Sequence, residues 1–402
     1  MLPTMPRVMD DAGAAELSAL LQERVRKAIA EAGGWLPFDH YMAMALYEPG
    51  LGYYARGGAG IFGTLPGAAG AGSDFVTAPE LSPLFGAALA RQVAQVLRLG
   101  GLDEIVEFGA GSGALAAQLL DAMHAAGVPV RRYAIVELAG ALRQRQRQRL
   151  ARFGAQVQWL DAWPRDPIEA VVVGNEVLDA MPVKLLHFDG QGWFERGVAV
   201  AAEAHADADA GEGAAAPAAG RGFVFADRPS ALRPPLAERA LPGAVLEVHP
   251  QAEAFVATLA GKLARGAAFF IDYGFPEAEY YHAQRHQGTL MCHRAHRSDT
   301  DPLSDTGGKD ITAHVDFTAI ALAAQEAGAE VAGYTSQARF LVNCGLLALL
   351  QGADVRTVAA AQKLVAEHEM GELFKVLAFT RGLALPAAGL LGFREGDRTH
   401  TL

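Results

Sequence analysis

Residues 105–115, with the sequence IVEFGAGSGAL, constrain the fold of this chain more than any other stretch. An apolar run reaches the acid Glu107. Three glycines follow at alternate positions, Gly109, Gly111 and Gly113. Apolar residues then recur at helical spacing, which predicts a strand, a tight turn and a helix. Because glycine lacks a Cβ, a ligand can approach such a turn closely, and the first amides of the helix point toward it. The turn therefore predicts a nucleotide-like ligand.

Two cofactors fit this turn. The spacing from Gly109 to Ala114 matches the looser fingerprint of dinucleotide-binding folds, so an NAD-dependent oxidoreductase is one alternative. The complete form E-x-G-x-G-x-G instead favours S-adenosylmethionine, because a carboxylate at Glu107 can order the charged amino acid end of that cofactor. The tighter loop closed by the third glycine also suits a ligand that has no pyrophosphate. We predict that this cofactor is bound by Glu107, Gly109, Gly111 and Gly113.

A second acid follows the next predicted strand. The sequence Tyr-Ala-Ile-Val from Tyr133 ends at Glu137. In doubly wound sheets an acid at this place accepts hydrogen bonds from the hydroxyls of a ribose. The pairing of Glu107 with Glu137 across one strand-helix-strand unit favours a nucleoside ligand, and we predict that Glu137 contacts it.

Polar residues also follow the fourth predicted strand, at 170–174. Asn175, Glu176 and Asp179 come directly after it, and ligands in open parallel sheets bind beyond the carboxyl ends of the strands. We predict that these three residues are catalytic. The alternative is structural, since Asp179 could cap a helix and Asn175 could hold its loop. Lower-ranked candidates for removing a proton are Asp272, at the end of the fifth strand, and His314, expected at a helix start.

The segment before the glycine turn carries Thr77 and Glu80, just ahead of a helix predicted at about 82–98. One interpretation is helix capping by Thr77 or Ser82, with a proline starting the helix. The other is a lid over the cofactor. Spacing alone does not separate the two, and we include Thr77 and Glu80 among the predicted cofactor contacts.

The charge balance disfavours several classes of partner. Lys and Arg number 34 against 45 Asp and Glu, and a net charge of −11 disfavours general binding to nucleic acid or an anionic membrane. No stretch has the apolar length of a membrane span. The N-terminus carries acids and no apolar run, unlike a secretory or transit segment. We expect a cytoplasmic protein.

Cysteine and histidine usage gives no sign of a disulfide framework or a metal site. Cys292 and Cys344 are the two cysteines, which fits a reducing compartment. Histidines cluster at 282–296, but their spacing does not match a common zinc motif, and we expect no metal.

Strand and helix patterns alternate along the chain, which predicts an α/β fold. We expect an N-terminal helical lobe and lid at 1–98 and a catalytic domain at 99–402. Residues 57–72 are rich in glycine and predict a mobile loop. Three further insertions are expected, a low-complexity one at 199–221, a polar one at 275–310 and a helical one at 338–370.

Several motifs occur in order across most of the chain: GLGYYARG, SDFVTAPELSPLFG, EFGAGSGALA, GNEVLDAMPV, FFIDYG, GTLMCHRAH and DITAHVDF. This set closely resembles the MidA-like family of S-adenosylmethionine-dependent methyltransferases, whose mitochondrial members act in the assembly of respiratory complex I. The resemblance implies a Rossmann-like class I methyltransferase fold, with a seven-stranded, mostly parallel sheet and an antiparallel last strand.

The same resemblance implies a protein arginine as the acceptor of the methyl group, and a respiratory-complex subunit as a candidate partner. Two acids three residues apart, Glu176 and Asp179, suit a guanidinium because carboxylates can grip two edges of its fork. A non-catalytic assembly factor that keeps the cofactor fold is a further alternative. The sequence leaves open whether the protein forms a homodimer.

Overall fold

A computed structural model of the chain describes residues 11–56, 76–137, 139–164, 167–201, 222–294 and 297–402. The glycine-rich loop predicted at 57–72 lies outside the described residues. Of the low-complexity insertion predicted at 199–221, residues 199 and 200 belong to a strand, Trp193–Val200, and the part from 202 onward lies outside the described residues.

The largest sheet contains seven strands in one continuous order. In chain order they are β1 (Glu104–Phe108), β2 (Arg132–Val136), β3 (Val157–Leu160), β4 (Ile168–Asn175), β5 (Leu263–Phe275), β6 (Glu330–Ser336) and β7 (Phe374–Arg381). Across the sheet they lie in the order β6, β7, β5, β4, β1, β2, β3. Strand β7 is antiparallel to both of its neighbours, whereas the other pairs along this order are parallel. The predicted α/β fold with a mostly parallel sheet is confirmed.

The strand count differs from the predicted seven. In the described part of the chain this sheet has an eighth strand, Val315–Asp316, which pairs in parallel with the end of β5. Gly274 makes this pairing feasible, because a Cβ at that position would lie 2.1 Å from the carbonyl oxygen of Val315. The class was predictable from the alternating elements, but a two-residue strand has too few residues to show a period.

The core lies in two layers, one on each face of the sheet. Along β4, Val171 and Val173 face one layer, and Ala170 and Val172 face the other, as expected for a strand buried on both sides. Helices Pro83–Gly100, Ala114–Ala125 and Gln337–Asn343 contribute to the first layer. Helices Pro250–Lys262 and Phe317–Glu326 contribute to the second.

The remaining helices are mostly short. The α-helices are Asp11–Glu31, Phe38–Tyr47, Ala78–Leu81, Gly140–Leu150, Glu277–Tyr280, Leu346–Leu349 and Val355–Val365. Short 3₁₀-helices lie at Ala151–Gln156, Ala237–Arg239, Ala283–Arg285, Leu391–Phe393 and Thr399–Thr401, and a π-helical turn lies at Glu367–Gly371. Among the described helices, none is both long enough and apolar enough to cross a membrane.

Two smaller antiparallel sheets lie beside the large one. The first contains Leu36–Pro37, Lys184–Phe188, Trp193–Val200, Phe223–Pro229 and Ala244–Val248. The second contains Met291–Arg294, Arg297–Asp299 and Asp310–Thr312. The N-terminal helices pack against both, since Leu21 and Phe38 share a buried cluster with Leu185 and Ile311. The N-terminal segment is therefore built into the region that follows β4.

The helix that was expected to start around His314 begins later, at Phe317. Thr312 ends a strand, and the helix Phe317–Glu326 starts after Asp316. The Asp316 carboxylate accepts hydrogen bonds from the amides of Thr318 and Ala319 at 3.1 and 3.3 Å. An aspartate in that position is a favourable helix cap, so it determines where the helix begins. His314 thus lies in the connection between two strands rather than at a helix start.

Candidate functional site

A cavity of about 1530 Å³ opens at the carboxyl edge of the large sheet. The residues that follow β1, β2 and β4 line it together. Of the predicted site residues, the lining includes Thr77, Glu107, Gly109, Gly111, Glu137, Asn175, Glu176 and Asp179. Asp272, Glu80 and Gly113 lie outside this lining.

The glycine turn has the geometry expected from its sequence. The three glycines have φ values of 65°, 50° and 82°, in the left-handed region that residues with a Cβ seldom adopt. A Cβ at Gly109 would also lie 2.8 Å from Cγ2 of Val177, in the loop after β4. Gly113 occupies the N-cap position of helix Ala114–Ala125. The turn thus brings bare backbone to the cavity wall while packing against the opposite loop.

Glu107 ends its strand in a buried position. Its carboxylate accepts a hydrogen bond of 2.7 Å from the hydroxyl of Tyr133, on the neighbouring strand β2. Burial, together with the nearby charge of Glu137, raises the pKa of Glu107 to about 8, against the lowering effect of the Tyr133 bond. A buried carboxyl group of this kind gains stability when a positive group approaches it.

Glu137 is held by a network that the sequence did not predict. Its carboxylate accepts bonds of 2.9 Å from the amide of Ala139 and from Nε2 of Gln146. The same Gln146 nitrogen donates to the carbonyl oxygen of Gly111 at 2.9 Å, and Gln146 Oε1 accepts from the indole of Trp159 at 2.9 Å. A single fully buried glutamine therefore couples the glycine turn to the second acid.

Glu80 is engaged by other side chains. Arg149 donates to the Glu80 carboxylate at 2.6 Å, and Ser112, inside the glycine turn, also bonds to it. Burial alone would raise the pKa of Glu80, but these hydrogen bonds and the arginine charge outweigh it and lower the pKa. Thr77 occupies the N-cap position of Ala78–Leu81 without a capping hydrogen bond from its side chain. Glu80 thus ties the segment before the turn to the turn itself.

An aromatic cluster forms an apolar part of the cavity wall near the end of β1. Phe108 lies 5.0 Å from Trp163 and 5.1 Å from Phe255, and the last two rings lie 5.0 Å apart, as distances between ring centroids. All three line the cavity. Such a wall suits the flat, apolar face of a nucleobase.

The loop after β4 has a strained start. Glu176 has a φ of 53°, a conformation that is costly for a residue with a side chain. Its amide donates to the carbonyl oxygen of Ile271 at 2.9 Å, and its carboxylate accepts from Nδ2 of Asn175 at 2.9 Å. The Asn175 oxygen Oδ1 is buried and has no hydrogen-bond partner within the described residues. Strain at a cavity wall is common at sites where a ligand binds.

The carboxylate of Asp272 fixes this loop through hydrogen bonds to its backbone amides. Its Oδ2 accepts from the amides of Val177, Leu178 and Asp179 at 3.1, 2.9 and 3.3 Å, and its Oδ1 accepts from the amide of Tyr273 at 3.0 Å. Three successive amides turned toward one carboxylate fix the backbone that carries the predicted catalytic acids. The position of Asp272 favours orientation of the loop over contact with a ligand.

Asp179 has one oxygen held and one free in the described structure. Tyr273 donates its hydroxyl to Oδ2 at 2.5 Å, whereas the buried Oδ1 has no hydrogen-bond partner among the described residues. No helix begins at this position, so the alternative of helix capping does not apply to Asp179. An unpaired buried carboxylate oxygen on a cavity wall is costly unless a ligand satisfies it.

Burial and mutual repulsion perturb these acids. Burial raises the pKa of Glu176 to about 8, and the charge of Asp179 adds to this shift. Burial likewise raises the pKa of Asp179 to about 6, opposed by the hydrogen bond from Tyr273. Within the described part of the chain, no lysine or arginine forms an ion pair with Glu176 or Asp179. Both acids therefore lie on the cavity wall without a basic partner among the described residues.

His314 also lines the cavity, on a different strand connection. Its ring makes edge-on contacts of 5.2 Å with both Tyr273 and Phe275, measured between centroids. Burial, together with the positive charges of Arg285 and Lys375, lowers the pKa of His314 to about 4. The neutral ring is therefore a packing group, and its buried Nδ1 has no hydrogen-bond partner within the described residues.

These residues fit a nucleoside cofactor with a positive charge. The glycine turn offers an open backbone, the aromatic cluster an apolar wall, and the carboxylates of Glu107 and Glu137 acceptors for charged or hydroxyl groups. The sheet order and the position of the cavity at the β1, β2 and β4 ends define an α/β enzyme that binds a nucleoside.

Comparison with known proteins identifies the family. The profile of the S-adenosyl-L-methionine-dependent methyltransferase family matches residues 88–335. The chain belongs to this family, which gives its cofactor as S-adenosyl-L-methionine and makes it a methyltransferase. An NAD-dependent oxidoreductase and a purely non-catalytic role are not favoured.

Individual relatives support the same family assignment. A mitochondrial protein arginine methyltransferase of Danio rerio, NDUFAF7, is 26% identical over 399 residues, covering 89% of this chain and 86% of its own length. The protein of the same name from Xenopus tropicalis is 28% identical, with coverage of 89% and 85%. A methyltransferase-type protein of Burkholderia thailandensis, crystallised with S-adenosyl-homocysteine, is 51% identical with a TM-score of 0.87, covering 99% of this chain and all of that one.

Several residues of the cavity region escaped the sequence analysis. Gln146, Tyr133 and Tyr273 were not singled out, although each bonds directly to a predicted site acid. Gln146 lies in the repetitive run LRQRQRQRL, which looks like a solvent-exposed helix face. The one available signal was that Gln146 shares a helix face with Leu142 and Leu150, which point inward.

Proposed function

We propose that the protein transfers a methyl group from S-adenosyl-L-methionine to the side chain of an arginine in a protein substrate. The observation that carries the proposal is the pair of buried acids Glu176 and Asp179, which line the cavity without a basic partner from the described chain. The animal relatives are named as protein arginine methyltransferases, which agrees with arginine as the acceptor.

The size of the cavity supports two ligands. Pockets that hold one small molecule usually measure about 300–1,000 Å³, whereas this one measures about 1530 Å³. Its lining extends from the glycine turn through Glu176 to Thr289 and His293, far from β1 along the chain. Room for an acceptor side chain therefore exists beside the cofactor residues.

We assign the predicted residues to two groups. Glu107, Glu137 and the backbone of Gly109 and Gly111 would hold the cofactor. Gly113 would shape the turn, and Thr77 would contribute to the wall. Glu80 would act by holding the segment before the turn against Ser112, since its carboxylate is already bonded to Arg149. Asn175, Glu176 and Asp179 would face the reacting groups.

The chemistry follows from the charge on the acceptor. When bound, S-adenosyl-L-methionine supplies a methyl group on a positively charged sulfur, which keeps the bonding pair as a carbon–nitrogen bond forms. A guanidinium is protonated at ordinary pH, so one of its nitrogens must lose a proton to be a good nucleophile. Glu176 and Asp179 would hold two edges of the fork, concentrate positive charge away from the attacking nitrogen and accept its proton.

Asp272 and Tyr273 prepare this arrangement. Because Asp272 binds three loop amides and Tyr273 binds Asp179, the two acids need little reorganisation when the acceptor enters. Positioning of this kind is a main source of rate in a displacement between two bound groups.

A labelling experiment tests the proposal. The purified protein is incubated with tritiated S-adenosyl-L-methionine and extract from cells that lack it, beside Glu176→Gln and an exposed control, Glu395→Gln. We expect labelled protein with the wild type and the control and at least a hundredfold less with Glu176→Gln, while S-adenosyl-homocysteine binding measured by calorimetry persists. Equal labelling by Glu176→Gln would remove the assigned role.

Several further expectations remain proposals beside this function. A protein substrate and a division at residue 98 into lobe and catalytic domain are compatible with the N-terminal helices packing beside the cavity. A respiratory-complex partner and a homodimer are testable by affinity purification and light scattering. The cytoplasmic location predicted from composition needs cell fractionation, because the animal relatives are mitochondrial proteins.

A further inference from the structure

A third acid lies on the wall of the cavity, and no part of the proposed function uses it so far. Asp310 begins the strand Asp310–Thr312, is 3% exposed and lines the cavity. Its charge acts on Glu176, whose pKa it helps to raise. The carboxyl groups of Glu176 and Asp179, from the loop after β4, and of Asp310, from a separate segment, therefore line the same cavity.

Asp310 is held by an aromatic side chain from the N-terminal segment. The hydroxyl of Tyr54 lies 3.0 Å from each of its carboxylate oxygens. Tyr54 stacks on Tyr47, with ring centroids 5.6 Å apart and planes 19° from parallel. The hydroxyl of Tyr47 donates to the carbonyl oxygen of Ala180 at 2.7 Å, directly after Asp179. The tyrosine pair thus connects Asp310 to the loop that carries Asp179.

A second link fixes the strand of Asp310 against the same loop. The amide of Ala313 donates to the carbonyl oxygen of Asp179 at 3.0 Å. Both tyrosines line the cavity, and Tyr47 keeps 44% of its surface exposed. Acids, aromatic surface and the Oδ1 atoms of Asn175 and Asp179, which have no partner among the described residues, therefore share one wall.

This combination matches a flat cation better than a compact one. A guanidinium presents five N–H donors in one plane and stacks on aromatic rings, whereas an ammonium is a strongly hydrated point charge with three donors. Three carboxylates supply more acceptors than an ammonium can use. A buried acid left without a donor would oppose the binding of the smaller cation.

We propose that Asp310 is a third acidic contact of the acceptor, that Tyr54 positions it, and that the Tyr47–Tyr54 pair makes the site select guanidinium over ammonium. This inference rests on the proposed function and adds to it the residues that determine which cation is accepted. Asp310 contacts the acceptor directly, whereas Tyr54 acts through Asp310.

Binding of small analogues tests the selection without a known protein substrate. The affinities of N-acetyl-arginine amide, N-acetyl-lysine amide and the neutral N-acetyl-citrulline amide are measured by NMR titration in the presence of S-adenosyl-homocysteine. We expect the arginine analogue to bind about tenfold more tightly than the other two, since citrulline lacks the charge and lysine lacks the planar five-donor fork. Asp310→Asn should remove most of this difference, and Tyr54→Phe should reduce it about two- to fivefold.

Matched variants separate a positioning effect from misfolding. Asp305→Asn removes an acid from the same segment outside the cavity lining, at a positive φ of 50° that asparagine tolerates, and should leave all three affinities unchanged. The affinity for S-adenosyl-homocysteine and the thermal midpoint report cofactor binding and folding. In both Asp310→Asn and Tyr54→Phe we expect the affinity for S-adenosyl-homocysteine to stay within about twofold of the wild-type value.

The outcomes distinguish the two proposals. If the wild type prefers the arginine analogue and Asp310→Asn keeps the full preference while still binding S-adenosyl-homocysteine, the role of Asp310 is wrong and arginine methylation stands. If the wild type shows no preference for the arginine analogue over lysine or citrulline and labels no arginine in cell extract, the proposed function fails as well. Loss of preference in Asp310→Asn alone, with Asp305→Asn unchanged, supports the assignment.

Discussion

Tyr273 donates its hydroxyl to Oδ2 of Asp179 across 2.5 Å, leaving the other carboxylate oxygen buried on the cavity wall without a partner in the described chain. The two residues lie 94 positions apart, at the ends of β5 and in the loop after β4. Because these strands are adjacent and parallel, their carboxyl ends meet at one edge. The sheet order thus brings two distant polar residues together in the acceptor site that we propose.

The backbone of the glycine turn gives the first prediction. Gly109→Ala should weaken the binding of S-adenosyl-homocysteine at least tenfold, because the new Cβ would meet Val177 at 2.8 Å and φ is 65°. Gly127→Ala is the matched control, since φ there is 61° and a Cβ meets no atom within 4 Å. Calorimetry should find wild-type affinity for the control. Equal affinities for both variants would mean that the close approach to Val177 has no part in cofactor binding.

The buried carboxyl group of Glu176 should lower the free energy of unfolding at high pH. In the folded state the Glu176 carboxyl keeps its proton up to about pH 8, whereas in the unfolded chain it loses the proton near pH 4.5. This group therefore destabilises the fold progressively as the pH rises through that window. Glu176→Gln should therefore raise the free energy of unfolding at pH 8 by about 1–3 kcal/mol and by less at pH 5.

Urea unfolding at pH 5, 6, 7 and 8 measures this difference. The exposed control Glu395→Gln should follow the wild type at every pH. A Glu176→Gln protein that is less stable than the wild type at pH 8 would show that the ionised carboxylate is well stabilised without a ligand, contrary to the account.

The same perturbed acids predict proton release when the acceptor binds. At pH 7 the carboxyl of Glu176, with a pKa of about 8, holds a proton, whereas Asp179, with a pKa of about 6, is mostly ionised. A guanidinium favours the ionised forms, so its binding should expel about one proton at pH 7 and almost none at pH 9. Calorimetry of N-acetyl-arginine amide in buffers of different ionisation enthalpy counts these protons.

Glu176→Gln should abolish most of the release at pH 7, because the remaining acid is already ionised. Proton uptake on binding, or release that is unchanged in the variant, would contradict the assignment of Glu176 as an acceptor contact.

Asp272 should matter for rate more than for cofactor binding. In Asp272→Asn one oxygen acceptor is replaced by an N–H donor, which opposes the amides of Val177, Leu178 and Asp179. We expect kcat to fall about 10- to 100-fold with little change in the affinity for S-adenosyl-homocysteine. Asp316→Ala removes a similar amide cap outside the cavity, and it should cost about 1 kcal/mol of stability without a comparable loss of kcat. Similar kcat losses in both variants would point to a general folding defect.

The sequence predicted what is local and periodic. The turn at Gly109 was predictable because glycine spacing and the preceding acid lie within a few residues, and β4 was predictable because a valine run buried on both faces is distinctive. The start of helix Phe317–Glu326 was missed because the apolar pattern continues upstream of the cap at Asp316. Apolar period alone does not mark a helix end.

Contacts between distant segments could not be predicted. Tyr54 and Asp310 lie 256 positions apart, and neither has a local pattern that suggests a partner. Glu80 was predicted as a cofactor contact from its place before the turn, but the direction of its side chain depends on Arg149, 69 positions later. Side-chain pairing across a fold follows from topology, which the sequence indicates as a class and not as a set of contacts.

The most direct measurement is the site of methylation itself. The protein is incubated with S-adenosyl-L-methionine carrying a trideuterated methyl group and extract from cells that lack the protein, and modified peptides are sequenced by mass spectrometry. The account predicts trideuterated methyl groups on arginine side chains with the wild type and with Glu395→Gln, and their absence with Glu176→Gln. Label on lysine, another residue type or a small molecule, or arginine label that persists with Glu176→Gln, would contradict it.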